Sequence, residues 1–61
     1  MNAFEQGDEV ITDRHGEGYI IEVYDAAAHP IMVGFRYPPR YINFTMAGVE
    51  EGYEAITLKR L

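Results

Sequence analysis

Short runs of alternating apolar and polar residues recur along this chain, and turn-forming residues separate them. Runs of four to eight residues that are rich in β-branched and aromatic side chains are typical of strands when Gly, Pro, Asn or Asp bound them. The pattern therefore predicts an all-β fold: a five-stranded small barrel formed by one domain that spans residues 1–61. After a lead-in over residues 1–6, we expect the strands near residues 9–12, 17–24, 31–36, 41–45 and 55–58.

The longest run rich in β-branched and aromatic residues, Gly16–Tyr24, is predicted to be a bent central strand that the other strands wrap around. In a flat strand, alternation would put Ile20 on the opposite face from Ile21 and Val23. A β-bulge at Ile21–Glu22 would instead send Ile20 and Val23 to the same interior. We favour the bulge, and an Ile20 side chain pointing to solvent would contradict it. The run also opens with two glycines, which allow close backbone approach or a positive φ. They are Gly16 and Gly18.

Alternation in the third and fourth strands predicts the side chains of the core. The segment between them, Tyr37–Arg40, is predicted to be a hairpin tip because neither of its prolines has an N–H to donate to a central ladder. Residues 46–48 are predicted to turn the chain, and residues 50–52 to form an acidic loop. The predicted core residues of these strands are Ile31, Val33, Phe35, Ile42 and Phe44, with Phe4 packed across one end of the barrel.

Three segments carry a family resemblance: Gly7-Asp8-Glu9-Val10, Gly16-Glu17-Gly18-Tyr19-Ile20 and Ile31-Met32-Val33-Gly34-Phe35. Together they resemble the small Src-homology-3-like (SH3-like) barrels of the KOW, Tudor and CarD-type groups. The resemblance implies a five-stranded SH3-like barrel. Barrels of this kind bind RNA, DNA, polymerase subunits, methylated tails or each other, so function has to be argued from the site.

A later segment, Phe44–Gly48, resembles the "F-T-x-D-G" turn of small barrel proteins encoded by phages and prophages. Ala47 departs from that pattern, because it stands where the turn usually has an acidic residue. This resemblance implies an origin in a phage or prophage.

Charge and composition narrow the partner class. The formal net charge is −5. Seven carboxylates and one arginine give residues 1–25 a charge of −6, whereas residues 26–49 carry only two charged groups, both arginines. An acidic chain is repelled by phosphate backbones, so broad nucleic-acid binding is disfavoured. The chain has no cysteine, no apolar run of about 18 residues and no signal-peptide pattern, which predicts a cytoplasmic protein without a membrane partner.

The segment from Arg36 to Tyr41 is the best candidate for binding a protein partner, including a second copy of the chain. Arginine and tyrosine are the residue types favoured in binding hot spots. Other interpretations stay open: the arginines could pair with the acidic N-terminal half, or bind a single-stranded nucleic acid. The tyrosines could cover the barrel ends, form a cage for methylated cations or build a dimer face. The candidate partner-binding residues are Arg36, Tyr37, Arg40, Tyr41, Tyr19 and Tyr24.

A second candidate surface is an acidic face formed by Glu9, Asp13, Glu17 and Glu22. Such a set is usually a solvated surface that keeps a small domain soluble. Alternatively, it imitates nucleic acid and blocks a basic cleft on a host enzyme.

The sequence gives little support for a metal site or for catalysis. Asp13, His15 and Glu17 are plausible metal ligands, but no fourth ligand is identifiable and the turn already explains them. The chain has no serine and no cysteine, which excludes a serine triad or a thiol nucleophile. We therefore expect no enzymatic activity, no metal and no cofactor. A protein-interaction module is the first hypothesis, an acidic inhibitor the second and a KOW-like nucleic-acid binder the third.

Overall fold

A computed structural model describes residues 4–24, 28–36 and 39–61, except for the side chains of residues 54–56. Within these residues the fold is all-β, as predicted, and a single antiparallel sheet contains every strand. The strands are β1 (Glu9–Thr12), β2 (Gly16–Val23), β3 (Ile31–Arg36), β4 (Pro39–Phe44), β5 (Val49–Glu50), β6 (Tyr53–Thr57) and β7 (Lys59–Arg60).

The sheet curls around its core, with the strand order β6-β5-β4-β3-β2-β1-β7. Its two outermost strands, β6 and β7, are consecutive in the chain, and Leu58 alone separates them. One segment therefore pairs with β5 at one end of the sheet and with β1 at the other. The Leu58 N–H donates to the Gly48 carbonyl at 2.7 Å, which ties this segment to the turn before β5. The curled sheet is compatible with a small barrel.

The predicted bulge in β2 is confirmed. Ile20 pairs with Val33 and Glu22 with Met32, so Ile21 is an extra residue on β2. The Ile20 side chain is 1% exposed, and Val23 packs against the same core. The shift lets one strand serve both β1 and β3 while its apolar residues on either side of the bulge face inward.

All but one of the side chains predicted for the core are buried, and the exception is Ile42. Alternation works in β3 and β4 because successive side chains point to opposite faces of a strand, and only one face of the curled sheet is covered. Ile42 is half-buried and packs against the core. The fully enclosed cluster comprises Phe4, Val10, Ile20, Ile31, Val33, Phe35, Phe44 and Leu58.

The prediction of five strands is wrong in number, because seven are present in the described residues. The predicted strand 55–58 lies in the segment that Leu58 divides into β6 and β7, and β5 lies in part of the predicted acidic loop. β4 begins at Pro39, within the predicted hairpin tip, and Pro39 pairs with Arg36. Residues 37 and 38 lie outside the described residues.

Pro39 fits into β4 because of the direction of its backbone nitrogen. The Asn43 carbonyl accepts a bond from the Glu51 N–H at 3.1 Å on the side away from β3. The N–H and C=O groups of successive residues in a strand point in opposite directions. The backbone groups of every second residue therefore point away from β3, and these residues are Asn43, Tyr41 and Pro39. The missing N–H of Pro39 therefore removes no bond of the ladder between β3 and β4.

No helix in the described part of the chain has the length and hydrophobicity to cross a membrane.

Candidate partner-binding surface

The outer face of the sheet holds a row of residues across β2, β3 and β4. Tyr19 pairs with Gly34, and Gly34 pairs with Tyr41. The two tyrosine side chains are therefore separated by a residue without one. A Cβ added to Gly34 would lie 2.8 Å from Ile21 Cδ1 and 3.5 Å from Tyr41 Cε1, so both of these side chains lean over the glycine. Tyr19 is 42% exposed and Tyr41 is 72% exposed.

Two exposed arginines lie beside this row: Arg36 shares its face of the sheet, and Arg40 lies on the opposite face of β4 at the same edge. Arg36 ends β3, and Arg40 pairs with Phe35 near the start of β4. Within the described residues neither arginine has a carboxylate partner: Asp8 pairs with Arg60, and Glu50 is hydrogen-bonded to His15. The alternative prediction, that these arginines pair with the acidic N-terminal half, is therefore not seen among the described residues.

The tyrosines and arginines line one surface groove, here called the Arg–Tyr groove. It contains four of the six predicted partner-binding residues. A fifth, Tyr24, follows the end of β2 and directs its hydroxyl to the Met32 sulfur at 3.9 Å, away from the groove. The sixth, Tyr37, lies outside the described residues. The groove is lined by Tyr19, Gly34, Phe35, Arg36, Pro39, Arg40 and Tyr41.

A second cavity adjoins the Arg–Tyr groove and shares Tyr19 and Arg36 with it. Two carboxylates of the predicted acidic face, Glu9 and Glu17, line this cavity. Asp13 lies in the turn after β1, and Glu22 lies on the other side of the bulge in β2. All four carboxylates are exposed. The predicted acidic face is thus divided, with one half beside the arginines.

The wall of this second cavity includes His15, whose side chain is only 5% exposed. Its ring Nε2 lies 2.9 Å from Oε1 of Glu50, whose side chain is itself only 3% exposed, so the imidazole and the carboxyl group share a buried hydrogen bond. The His15 ring packs against Phe35 with 5.0 Å between ring centroids. Its backbone N–H donates to the Thr12 hydroxyl at 2.9 Å. These three contacts hold the His15 ring in one position.

The position of Glu50 corrects the predicted acidic loop. Glu50 lies in β5 as a buried residue, and only Glu51 and Gly52 form an exposed turn. Sequence reasoning missed the pair because its two members are 35 residues apart and both resemble ordinary turn or loop residues. No group of three or more metal-ligating side chains occurs among the described residues. Every buried side-chain nitrogen and oxygen there has a hydrogen-bond partner.

A further contact that the sequence did not indicate involves another tyrosine. The guanidinium of Arg14 lies over the ring of Tyr53, 4.0 Å from its centroid. Such a cation–π contact contributes about 0.5–1 kcal/mol at an exposed site. Tyr53 is therefore engaged within the molecule, and it takes no part in lining the Arg–Tyr groove.

Comparison of the chain with protein-family models, with curated proteins and with solved structures finds no match.

Proposed function

We propose that this protein is a non-enzymatic interaction module that binds a protein partner through the Arg–Tyr groove. One observation carries the proposal: Arg36 and Arg40 are exposed without an ion-pair partner in the described residues, and they lie beside the exposed rings of Tyr19 and Tyr41. Cations that no internal carboxylate neutralises are available to an external one. The tyrosines add rigid contact area at a small cost in conformational entropy.

A protein partner suits this surface better than a nucleic acid. The groove offers two positive charges, and Glu9 and Glu17 line the cavity beside it. A phosphate backbone that continued from the groove into this cavity would meet these two carboxylates. The formal net charge of −5 adds a long-range repulsion that grows as the salt concentration falls.

The proposed fold family is the SH3-like barrel. It is supported by the bulged β2, which pairs with both β1 and β3, and by β7, which pairs with β1 at the end of the sheet. β5 is then an addition to the five predicted strands, the last of which corresponds to the segment that forms β6 and β7. An origin in a phage or prophage rests on the resemblance of Phe44–Gly48 alone.

The acidic inhibitor is the second candidate function, and one observation favours it. Glu9 and Glu17 both line the second cavity, and neither has an ion-pair partner in the described residues. Carboxylates held side by side without neutralisation are what an imitation of a phosphate backbone requires. The same experiment distinguishes the two candidates.

The test begins with capture of partners on the immobilised chain from an extract of the organism that encodes it, followed by titration of each purified partner. The combined substitutions Arg40→Ala and Tyr41→Ala should weaken binding by about 2 kcal/mol or more, which is about thirtyfold, because they remove one charge and one exposed ring from the groove. Circular dichroism should show an unchanged fold, since both side chains are exposed.

The matched variant reverses the charge of Glu9, Glu17 and Glu22 to lysine. A partner of the Arg–Tyr groove should tolerate this variant, whereas the partner of an acidic inhibitor should be lost. If the charge reversal abolishes binding and the Arg40–Tyr41 variant does not, the groove is not the binding surface. A gel shift with single-stranded RNA or DNA at low salt would favour the third hypothesis instead.

A further inference from the structure

The edge of β4 is open beside the Arg–Tyr groove. β4 pairs with β3 along all six of its residues, but on its other side it pairs with β5 only at Phe44. The first four residues of the strand, Pro39 to Ile42, therefore have no neighbouring strand on that side among the described residues. An open edge of this kind is a template for an added strand.

Two independent hydrogen bonds fix the direction of the backbone groups at this edge. The Asn43 carbonyl accepts from Glu51 on the outer side, which places the N–H and C=O of Tyr41 on that side as well. On the other side of β3, the Tyr24 N–H donates to the Pro30 carbonyl at 2.7 Å. That bond turns the backbone groups of Ile31 towards β4. Because the direction alternates along the strand, Ile31–Phe44 and Val33–Ile42 are hydrogen-bonded pairs of β3 and β4. Tyr41 again points its backbone groups outward.

The Tyr41 N–H and C=O therefore meet no other backbone group in the described residues, and its side chain is the most exposed of the large apolar residues there. An extended peptide that docks here would gain main-chain hydrogen bonds as well as side-chain contacts. Pro39, two residues earlier, offers only a carbonyl, so Tyr41 supplies the free N–H nearest the arginines.

Charge complementarity identifies the occupant. Arg40 lies on the opposite face of β4 from Tyr41, and both adjoin the same open edge. A strand added there would place alternate side chains beside Arg40 and beside Tyr41. The first position favours a carboxylate and the second an apolar or aromatic residue. A second copy of this chain fits less well, because antiparallel self-pairing centred on Tyr41 would bring two Arg40 side chains onto the same face.

We infer that the Arg–Tyr groove binds an extended, acidic segment of a partner protein by adding it as a strand to the open edge of β4 at Tyr41. This inference rests on the proposed function and names its mode of recognition. A single-stranded nucleic acid could use the arginines and the rings, but it has no backbone amide with which to pair at Tyr41.

The experiment uses the full chain and an eight-residue peptide of alternating glutamate and valine with both ends blocked. Amide hydrogen exchange, followed by NMR at saturating peptide, should slow at the Tyr41 N–H by about tenfold or more, because that group becomes hydrogen-bonded. The amides of Glu51, in the turn after β5, and of Lys59, in β7, serve as internal controls and should not change. An alternating lysine–valine peptide should bind at least about tenfold more weakly, because it would place cations beside Arg40.

Two variants at one position separate the backbone from the side chain. Tyr41→Pro removes the N–H that would donate to the peptide, and it breaks no bond to β3, as Pro39 already shows. It should weaken peptide binding at least about fivefold relative to Tyr41→Ala, which keeps the N–H and removes the ring. Thermal unfolding of both variants checks that the domain is intact. If Tyr41→Pro fails to fold, an N-methylated peptide, which cannot donate to the Tyr41 carbonyl, tests the reciprocal hydrogen bond.

Each remaining outcome overturns the inference, and each has a different consequence for the proposed function. If the peptide binds but the Tyr41 amide stays unprotected and N-methylation has no effect, the groove binds side chains only and the proposed function stands. If the Tyr41 amide becomes protected with rising protein concentration and no peptide, a second copy occupies the edge. If no peptide binds while an oligonucleotide does, both the inference and the proposed function are wrong.

Discussion

Glu50→Ala is expected to destabilise the protein by about 3 kcal/mol, because it removes the only hydrogen-bond partner that the described residues give the buried His15 ring. The His15 side chain is 5% exposed, so water cannot readily replace the lost carboxylate. A domain of this size has a total free energy of unfolding of roughly 3–9 kcal/mol, so the loss would be a large part of it. Urea unfolding followed by circular dichroism measures the effect.

The neighbouring residue provides a matched control. Glu51 has the same side chain one position later, but it is exposed and has no ion pair in the described residues. Glu51→Ala should change the free energy of unfolding by less than about 0.5 kcal/mol. Glu50→Gln should keep most of the stability, because its amide oxygen can still accept from the His15 ring. Equal costs for the two alanine variants would contradict a structural role for the buried pair.

The elements that the sequence predicts well are those that depend on local alternation. Val33 and Phe35 are buried because they occupy every second position of a strand that is covered on one face. The bulge was predictable for the same reason: no flat strand puts Ile20 and Val23 on one side, and both are apolar. Such inferences need no knowledge of which strand lies beside which.

What the sequence did not reveal depends on register between distant segments. A proline is tolerated in β4 only where the backbone nitrogen points away from β3. The pairing of Ile31 with Phe44 decides which positions of β4 these are. Glu50 is buried because β5 brings it to His15. No local pattern distinguishes it from Glu51.

The Arg–Tyr groove shows both situations in one site. Arg36, Arg40 and Tyr41 are close in sequence, so a hairpin was expected to bring them together. Tyr19 joins them through its pairing with Gly34, which in turn pairs with Tyr41. Residue type alone predicted Tyr19 and Tyr24 equally as partner-binding residues. Only Tyr19 lies in the groove, because of the strand register.

The groove also depends on Gly18, which packs closely against Gly34 and Phe35 on β3. A Cβ added to Gly18 would lie 2.6 Å from the Gly34 carbonyl oxygen and 2.8 Å from Phe35 Cδ1. The first of these is a backbone atom in the middle of the sheet and cannot turn aside. Gly18→Ala would therefore push β2 and β3 apart where the groove and the core meet.

Gly18→Ala should destabilise the protein by about 2–3 kcal/mol, the cost typical of overpacking a well-packed core. Gly16→Ala is the control for a glycine's conformational freedom: Gly16 has a φ of +76°, but a Cβ there meets nothing within 4 Å. The strain of that backbone should cost only about 1 kcal/mol. Urea unfolding of both variants, compared by their midpoints at constant m-value, decides the matter. If Gly16→Ala is the more damaging, backbone conformation and not contact between β2 and β3 is what this end of the sheet requires.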